Sequence, residues 1–140
     1  MKLDVEYDEL LPHPVQAVWS ELTDAAAISD WLMATSDFRP AVGCRFHLKT
    51  ERLSTTGWVE AEVLEVEVPH RMVWSWSAKD GNPPSRVSFE LLEEEGGTRL
   101  RMRHEGEFDD EVADILRGGW PGRITAIGKR IEIRRADGDV

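Results

Sequence analysis

The fold of this chain is decided by the stretch VLEVEVPHRMVWSW, which occupies residues 63–76. Alternating apolar and charged residues lead into Pro69, and a second alternating run then places Met72, Trp74 and Trp76 on one side. This pattern is typical of two β-strands joined by a tight turn. The sequence therefore predicts a β-hairpin whose second strand presents large side chains to a core.

The apolar phase changes sides within the first strand of this hairpin. Val59, Ala61 and Val63 share one face, whereas Leu64 and Val66 continue the apolar set on the other phase. One extra residue in a strand shifts the phase in this way and bends the strand. We therefore expect a β-bulge near Val63 and Leu64.

A second informative stretch, PVQAVWSELTD, occupies residues 14–24. Proline suits the first turn of a helix, where its missing N–H costs nothing, and apolar residues then recur at helical spacing at Val15, Val18, Trp19 and Leu22. Asp24 can cap a second short helix that runs to Trp31. Two short helices in tandem are therefore expected after the first strand.

Alternation elsewhere predicts four more strands. They cover residues 2–8, 44–49, 87–91 and 100–104, with a turn at 55–57 and a loop at 80–84. Outward charges suggest their order, because Arg99, Arg101 and Arg103 on the sixth strand complement Asp4, Glu6 and Asp8 on the first and Glu90 on the fifth. Opposite charges on facing positions favour pairing. We expect the first strand beside the sixth, with the fifth on the other side of the sixth.

A C-terminal helix is predicted from an apolar stripe. Its members are Trp120, Ile124, Ile127 and Ile131. Pro121 sits where a helix could start, and Gly118, Gly119, Gly122 and Gly128 each cost about 1 kcal/mol relative to alanine inside a helix. We therefore expect this helix to be short or bent, with fraying from about Arg134.

Composition limits the classes of binding partner and the cellular compartment that we expect for this protein. The formal net charge of −10 argues against nucleic acid and anionic membranes as partners. There is no apolar run long enough to span a bilayer and no secretory leader pattern. Cys44 is the single cysteine and cannot form an internal disulfide, which favours a buried structural role and a cytoplasmic location. The length of 140 residues fits one domain covering residues 1–140.

The order of these motifs resembles the Hsp90-ATPase-activator-like (AHSA1-type) branch of the START/Bet v 1 (SRPBCC) superfamily. The matching segments are Val18-Trp19, Leu22-Thr23-Asp24, Trp31-Leu32, Gly43-Cys44-Arg45-Phe46, Val63-Leu64-Glu65-Val66, Pro69-His70-Arg71-Met72-Val73-Trp74, Gly97-Thr98-Arg99-Leu100, His104 and Gly119-Trp120. The resemblance implies an α+β helix-grip fold. In that fold a curved antiparallel sheet, here of six strands, wraps a C-terminal helix, and two short helices lie between strands 1 and 2.

The resemblance also implies a function. Members often hold an apolar ligand between sheet and helix, so we expect a bacterial small-molecule binding protein for an apolar or aromatic ligand. Two alternatives remain open: a polyketide cyclase/aromatase-like enzyme that uses His104, and a chaperone-interacting module. In the eukaryotic Hsp90 activators a separate N-terminal domain precedes this one. Because this chain starts at the first strand, Hsp90 activation is not expected.

The candidate ligand-binding residues face inward in this interpretation. They are Trp31, Phe46, Trp74, Trp76, Phe89, Met102, His104, Trp120, Ile124 and Ile127. His104 is either a hydrogen-bonded core residue or a polar anchor for the ligand, and Tyr7 could meet it if the first and sixth strands pair. Trp58 is expected to face outward and is a candidate for dimer or partner contact.

No motif for catalysis, phosphate binding or metal binding stands out. The four histidines show no helical HxxxH or HExxH pairing, and neither a Gly-rich phosphate loop nor a GxSxG motif occurs. The sequence therefore predicts no catalytic residue, no cofactor and no metal site, and it favours a binding protein over an enzyme.

Overall fold

A seven-stranded antiparallel sheet with three helices makes up the described part of the chain, residues 2–50, 57–78 and 82–136 of a computed structural model. The elements are β1 (Lys2–Leu11), α1 (Val15–Thr23), α2 (Ala25–Trp31), β2 (Thr35–Ser36), β3 (Arg45–Lys49), β4 (Trp58–Glu67), β5 (Arg71–Ser77), β6 (Ser85–Glu94), β7 (Gly97–Glu107) and α3 (Asp110–Ala136). This is the α+β helix-grip architecture that the family resemblance implies. The predicted turn at 55–57 and the loop at 80–84 lie partly outside the described residues.

The strand order is β1-β7-β6-β5-β4-β3-β2. This confirms that the first strand lies beside the predicted sixth strand, now β7, with β6 on its other side. Two arginines of β7 bind carboxylates of β1 diagonally across the pair: Arg103 contacts Asp4 at 2.8 Å, and Arg99 contacts Asp8 at 3.1 Å. The expected charge complementarity therefore accompanies the observed pairing.

The prediction of six strands was wrong by one. The additional strand, β2, has two residues, Thr35 and Ser36, which pair with Leu48 and His47 of β3. Two residues show no alternation, so no periodic pattern could have indicated this strand. It forms the far edge of the sheet, where the two short helices deliver the chain.

The β-bulge is confirmed at its predicted position. The β4–β5 register shifts between Val63 and Glu65, so that Val63 faces Trp74 while Val66 faces Met72. Before the bulge, the inward residues of β4 are fully buried, whereas Val66 beyond it is only half-buried. The bulge therefore bends β4 where the sheet stops being covered.

Helix α3 differs most from the sequence-based expectation. It runs without a break over 27 residues from Asp110 to Ala136, so the prediction of a short helix starting near Pro121 was wrong. Gly118, Gly119 and Gly122 all lie on its exposed side. Burial of Leu116 and Trp120 on the opposite side contributes about 1.5–3 kcal/mol each, which offsets the glycine cost of about 1 kcal/mol per residue.

The predicted stripe of α3 is confirmed, since Trp120, Ile124, Ile127 and Ile131 are all buried against the sheet. The helix remains ordered through Ala136, beyond the expected onset of fraying at Arg134. No helix in the described ranges is long and apolar enough to cross a bilayer.

A buried carboxylate ties the three helices together. Glu21 of α1 is only 1% exposed, and its Oε1 accepts a hydrogen bond of 2.6 Å from Arg130 Nε of α3. Arg134 Nη2 lies 3.4 Å from the other oxygen of Glu21, and Arg130 also binds Asp30 of α2 at 2.6 Å. In addition, the Trp31 indole donates to the backbone carbonyl of Glu21 at 2.8 Å.

We expect Glu21→Gln to lower the free energy of unfolding by about 3 kcal/mol, because removing one member of a buried ion pair leaves its partners uncompensated. Asp30→Asn is the matched control, since it removes the exposed carboxylate bound to the same Arg130. It should cost less than about 1 kcal/mol. Urea unfolding of both variants measures the difference, and equal losses would contradict a special role for Glu21.

Candidate functional site

The structure places all ten predicted ligand-binding residues in the interior. Each is at most 2% exposed: Trp31 on α2, Phe46 on β3, Trp74 and Trp76 on β5, Phe89 on β6, Met102 and His104 on β7, and Trp120, Ile124 and Ile127 on α3. Their inward direction follows the period-two and helical patterns of the sequence. Nine of them belong to one apolar cluster between the sheet and α3, and His104 contacts this cluster through the rings of Trp76 and Trp120.

The aromatic members of this cluster contact one another edge to face. The Trp74 ring lies 5.2 Å from Phe46 and 5.0 Å from Phe89, and Phe89 in turn lies 6.0 Å from Trp31 and 6.1 Å from Trp120. These separations are those of favourable aromatic packing. Side chains therefore occupy the centre of the space between the sheet and α3.

Two aromatic rings of this cluster were missed from the sequence. Phe38 contacts Phe46 at 4.9 Å, and Phe108 contacts His104 at 5.2 Å. Both lie in connecting segments, outside any strand or helix. Periodic patterns give no signal for such positions.

His104 is a fully buried histidine with a partner on each ring nitrogen. The Trp120 indole donates to its Nδ1 at 3.1 Å, and Ser85 Oγ lies 2.9 Å from its Nε2. Because an indole can only donate, Nδ1 must accept, and the neutral ring therefore carries its proton on Nε2. Nε2 then donates to Ser85, whose hydroxyl donates to the carbonyl of Trp76 at 3.1 Å.

Burial lowers the pKa of His104 from 6.5 to about 3. No carboxylate bonds to the ring, so the neutral form is favoured by desolvation alone. His104 is thus a neutral link that connects β7 to α3 through Trp120 and to β6 through Ser85.

The proposed meeting of Tyr7 and His104 was wrong, although their strands do pair. His104 lies opposite Val5, whereas Tyr7 lies opposite Met102. The Tyr7 hydroxyl donates instead to Glu9 at 2.7 Å. The two side chains are therefore one alternation apart and have separate partners.

An apolar cleft lies at one end of the aromatic cluster. It has a volume of about 480 Å³ and is lined by Leu32, Met33, Trp76, Asp114, Ile115, Leu116, Gly118, Gly119, Trp120 and Arg123. We call this the mouth cleft. It opens between the end of α2, strand β5 and the first half of α3, and large apolar side chains with a few polar groups are typical of ligand sites.

Only Trp76 and Trp120 of the predicted site residues line the mouth cleft. Most of the remaining lining comes from the first half of α3, which precedes the helix start predicted at Pro121. The spacing of Val112, Leu116 and Trp120 is helical and could have revealed this segment. Gly118, Gly119 and Gly122 lower the helix propensity around Trp120 and so oppose this signal.

Two indole groups of the core have no hydrogen-bond partner in the described part of the chain. They are Trp74 Nε1 and Trp76 Nε1, both buried. An unsatisfied buried donor costs about 1–3 kcal/mol. Trp76 also lines the mouth cleft, but its Nε1 atom is itself buried within the core.

A larger depression of about 650 Å³ lies on the outer face of the sheet. Its lining is mainly charged, and ion pairs such as Arg71–Glu90 at 2.8 Å and Arg103–Asp4 at 2.8 Å already satisfy much of it. Such a surface is typical of a solvated sheet face. The mouth cleft is therefore the better candidate for a small-molecule site.

The other residues singled out from the sequence have ordinary surroundings. Cys44 is buried, as predicted, and its Sγ lies 3.2 Å from the carbonyl of Asp37. Trp58 is 41% exposed, in agreement with its predicted outward orientation. Over residues 2–50, 57–78 and 82–136, no group of three His, Cys, Asp or Glu residues could hold a metal ion.

Comparisons with known proteins identify relatives over most of the chain. A model of the family described as Activator of Hsp90 ATPase homolog 1-like protein matches residues 12–132. The solved structure of protein MLL2253 from Mesorhizobium loti is 30% identical, with a TM-score of 0.80 over 94% of this chain and 97% of that chain. No curated protein matches this chain significantly.

Two further solved structures are similar. CalU16 from Micromonospora echinospora is 28% identical, with a TM-score of 0.70 over 96% of this chain and 79% of its own. An HSP90 activator from Plasmodium falciparum is 21% identical, with a TM-score of 0.67 over 84% of this chain and 87% of its own. At 21% identity, the similarity to the HSP90 activator shows only that the two proteins share a fold.

We expect His104 to make the protein less stable as the pH falls. Its pKa is lower in the folded state, so the unfolded state takes up the proton first, and stability is lost from about pH 6.5 downward. Between neutral pH and about pH 5, this contributes a loss of about 2 kcal/mol. The difference in unfolding free energy between the two pH values should shrink by this amount in His104→Gln.

Nitrogen-15 NMR of the unmodified protein gives a second readout that does not depend on how well the variant folds. A His104 ring that is protonated on both nitrogens near pH 5 would contradict the expectation.

Proposed function

The chain belongs to the family of Activator of Hsp90 ATPase homolog 1-like proteins, and from this premise we propose that it is a small-molecule binding protein for an apolar or aromatic ligand. The ligand enters the mouth cleft between the sheet and α3. The observation that carries the proposal is the apolar cleft of about 480 Å³ itself, which is bounded by Trp76 and Trp120 and lined mainly by apolar side chains.

The ten predicted site residues divide into two groups under this proposal. Trp76 and Trp120 contact the ligand directly, since both line the cleft. The other eight form the packed floor that keeps these two rings in place: Trp31, Phe46, Trp74, Phe89, Met102, His104, Ile124 and Ile127. His104 acts through its hydrogen bond with the Trp120 indole, which fixes the orientation of that ring.

Water exclusion explains why such a site favours apolar ligands. Leu32, Met33, Ile115 and Leu116 surround the two tryptophans in the cleft. Each Å² of apolar surface removed from water contributes about 25 cal/mol. A flat aromatic ligand that stacks against Trp76 and Trp120 buries its largest faces and adds edge-to-face contacts.

Neither alternative function is favoured by a contact in the described structure. Catalysis by His104 needs a free ring nitrogen, yet Trp120 and Ser85 engage both nitrogens. A chaperone-interacting module needs a partner surface, and the likeness to the Plasmodium falciparum HSP90 activator is one of fold. Capture of Hsp90 by the purified protein would favour a chaperone-interacting function over ligand binding.

We expect saturable quenching of tryptophan fluorescence when the protein is titrated with a panel of lipids, flavonoids and aromatic acids. Gly119→Leu should weaken any hit about tenfold or more, because its side chain would occupy the ligand's volume in the cleft. An added Cβ at Gly119 meets no atom within 4 Å, so the variant should fold.

Gly122→Leu is the matched control for this titration. Gly122 lies on the same helix, is exposed, has the same free space around it and does not line the cleft. Both variants gain about 1 kcal/mol of helix propensity, so their thermal stabilities should rise together. A flat response to the whole panel, or equal weakening by both variants, would overturn the proposed function.

A further inference from the structure

Arg123 is a cation in the wall of an otherwise apolar cleft. It lies on the exposed side of α3 and lines the mouth cleft beside Trp76 and Trp120. No carboxylate in the described chain pairs with it. The other four arginines of α3 all have partners: Arg117 binds Asp114, Arg130 and Arg134 bind Glu21, and Arg135 donates to His13.

The cleft therefore carries one positive charge that no carboxylate in its lining neutralises. Asp114 is the acidic residue among the lining side chains, and Arg117 lies 3.2 Å from its carboxylate. Arg123 stays uncompensated by protein groups in that lining. A guanidinium at such a position offers several N–H donors in a planar fork that matches a carboxylate.

The charged group of the cleft lining that has no carboxylate partner in the described chain is a donor, the Arg123 guanidinium. The Trp120 indole N–H, in contrast, is already bound to His104. A ligand that satisfies the cleft must therefore bring acceptors, and its acceptor near Arg123 gains most if it carries negative charge.

We infer that the ligand is an amphipathic anion, namely an aromatic carboxylate whose ring system lies against Trp76 and Trp120 and whose carboxylate binds Arg123. This inference rests on the proposed function, because it assumes that the mouth cleft is the binding site. The net charge of −10 gives no general attraction for anions. A preference for the acid over a neutral isostere must then come from the local contact with Arg123.

The test compares 2-naphthoate with 2-naphthamide, which share a ring system and differ in charge. Isothermal titration calorimetry at neutral pH should show that the protein prefers the carboxylate by roughly tenfold, the size of one charge-assisted hydrogen bond. Arg123→Gln should remove this preference, because it weakens binding of the carboxylate far more than binding of the amide, whose carbonyl can accept only a neutral hydrogen bond from residue 123. Arg123→Lys should retain part of the preference, since it keeps the charge but loses the planar fork.

Lys129→Gln is the matched control. Lys129 is exposed on the same helix and does not line the cleft, so its removal changes the net charge by the same amount without touching the site. The preference for the carboxylate should survive in this variant. Thermal unfolding of each variant shows that the fold is kept, which is expected because both positions are exposed.

The outcomes separate this inference from the proposed function. Equal affinities for acid and amide, or a preference that persists in Arg123→Gln, would overturn the inference, while binding that Gly119→Leu abolishes would still support the mouth cleft. Loss of the preference in Lys129→Gln would also overturn it, because a general field effect would then suffice. Failure of both probes to bind up to their solubility limit would overturn the inference and the proposed function together.

Discussion

The concave face of the sheet must be covered, and the rest of the structure depends on how α3 meets that requirement. The inward residues of six strands form an apolar surface that water would otherwise reach, and burying it is the main driving force of folding. Helix α3 lies across this surface with Trp120, Ile124, Ile127 and Ile131 against it. Near its C-terminal half the approach is close, since a Cβ at Gly128 would lie 3.0 Å from Leu11.

Polar links hold the helix in this position at both ends. Towards the C-terminus, Arg130 and Arg134 bind the buried Glu21 of α1. In the first half, Trp120 binds His104, which carries the link on to Ser85. Both links are fully or largely removed from water, where the loss of one partner is costly. Together with the apolar stripe, these directional bonds hold α3 in this orientation on the sheet.

The mouth cleft is the place where this covering stops. Gly118 and Gly119 lie on the exposed side of α3, line this cleft and present no side chain to it. Trp76 is left with an unpartnered indole N–H at that point. These two glycines lower the helix propensity of α3. In the folded protein they also leave open volume beside Trp76 and Trp120. Helix propensity and the open volume of the cleft therefore make opposite demands on these two positions.

The sequence by itself determined the order of the main elements, the inward face of every long strand and the bulge at Val63, because these follow from alternation and spacing along the chain. It also indicated the pairing of β1 with β7 through complementary charges. It could not reveal β2, which is too short to show a period. For the early start of α3 it carried two opposed signals, the helical spacing of Val112, Leu116 and Trp120 and the low helix propensity of the glycines, and packing decided between them. The partners of His104 and Glu21, and the position of the cleft, were decided by the tertiary structure alone. Each depends on side chains from distant segments meeting at hydrogen-bonding distance, and that geometry is set by the packing of α3 on the curved sheet.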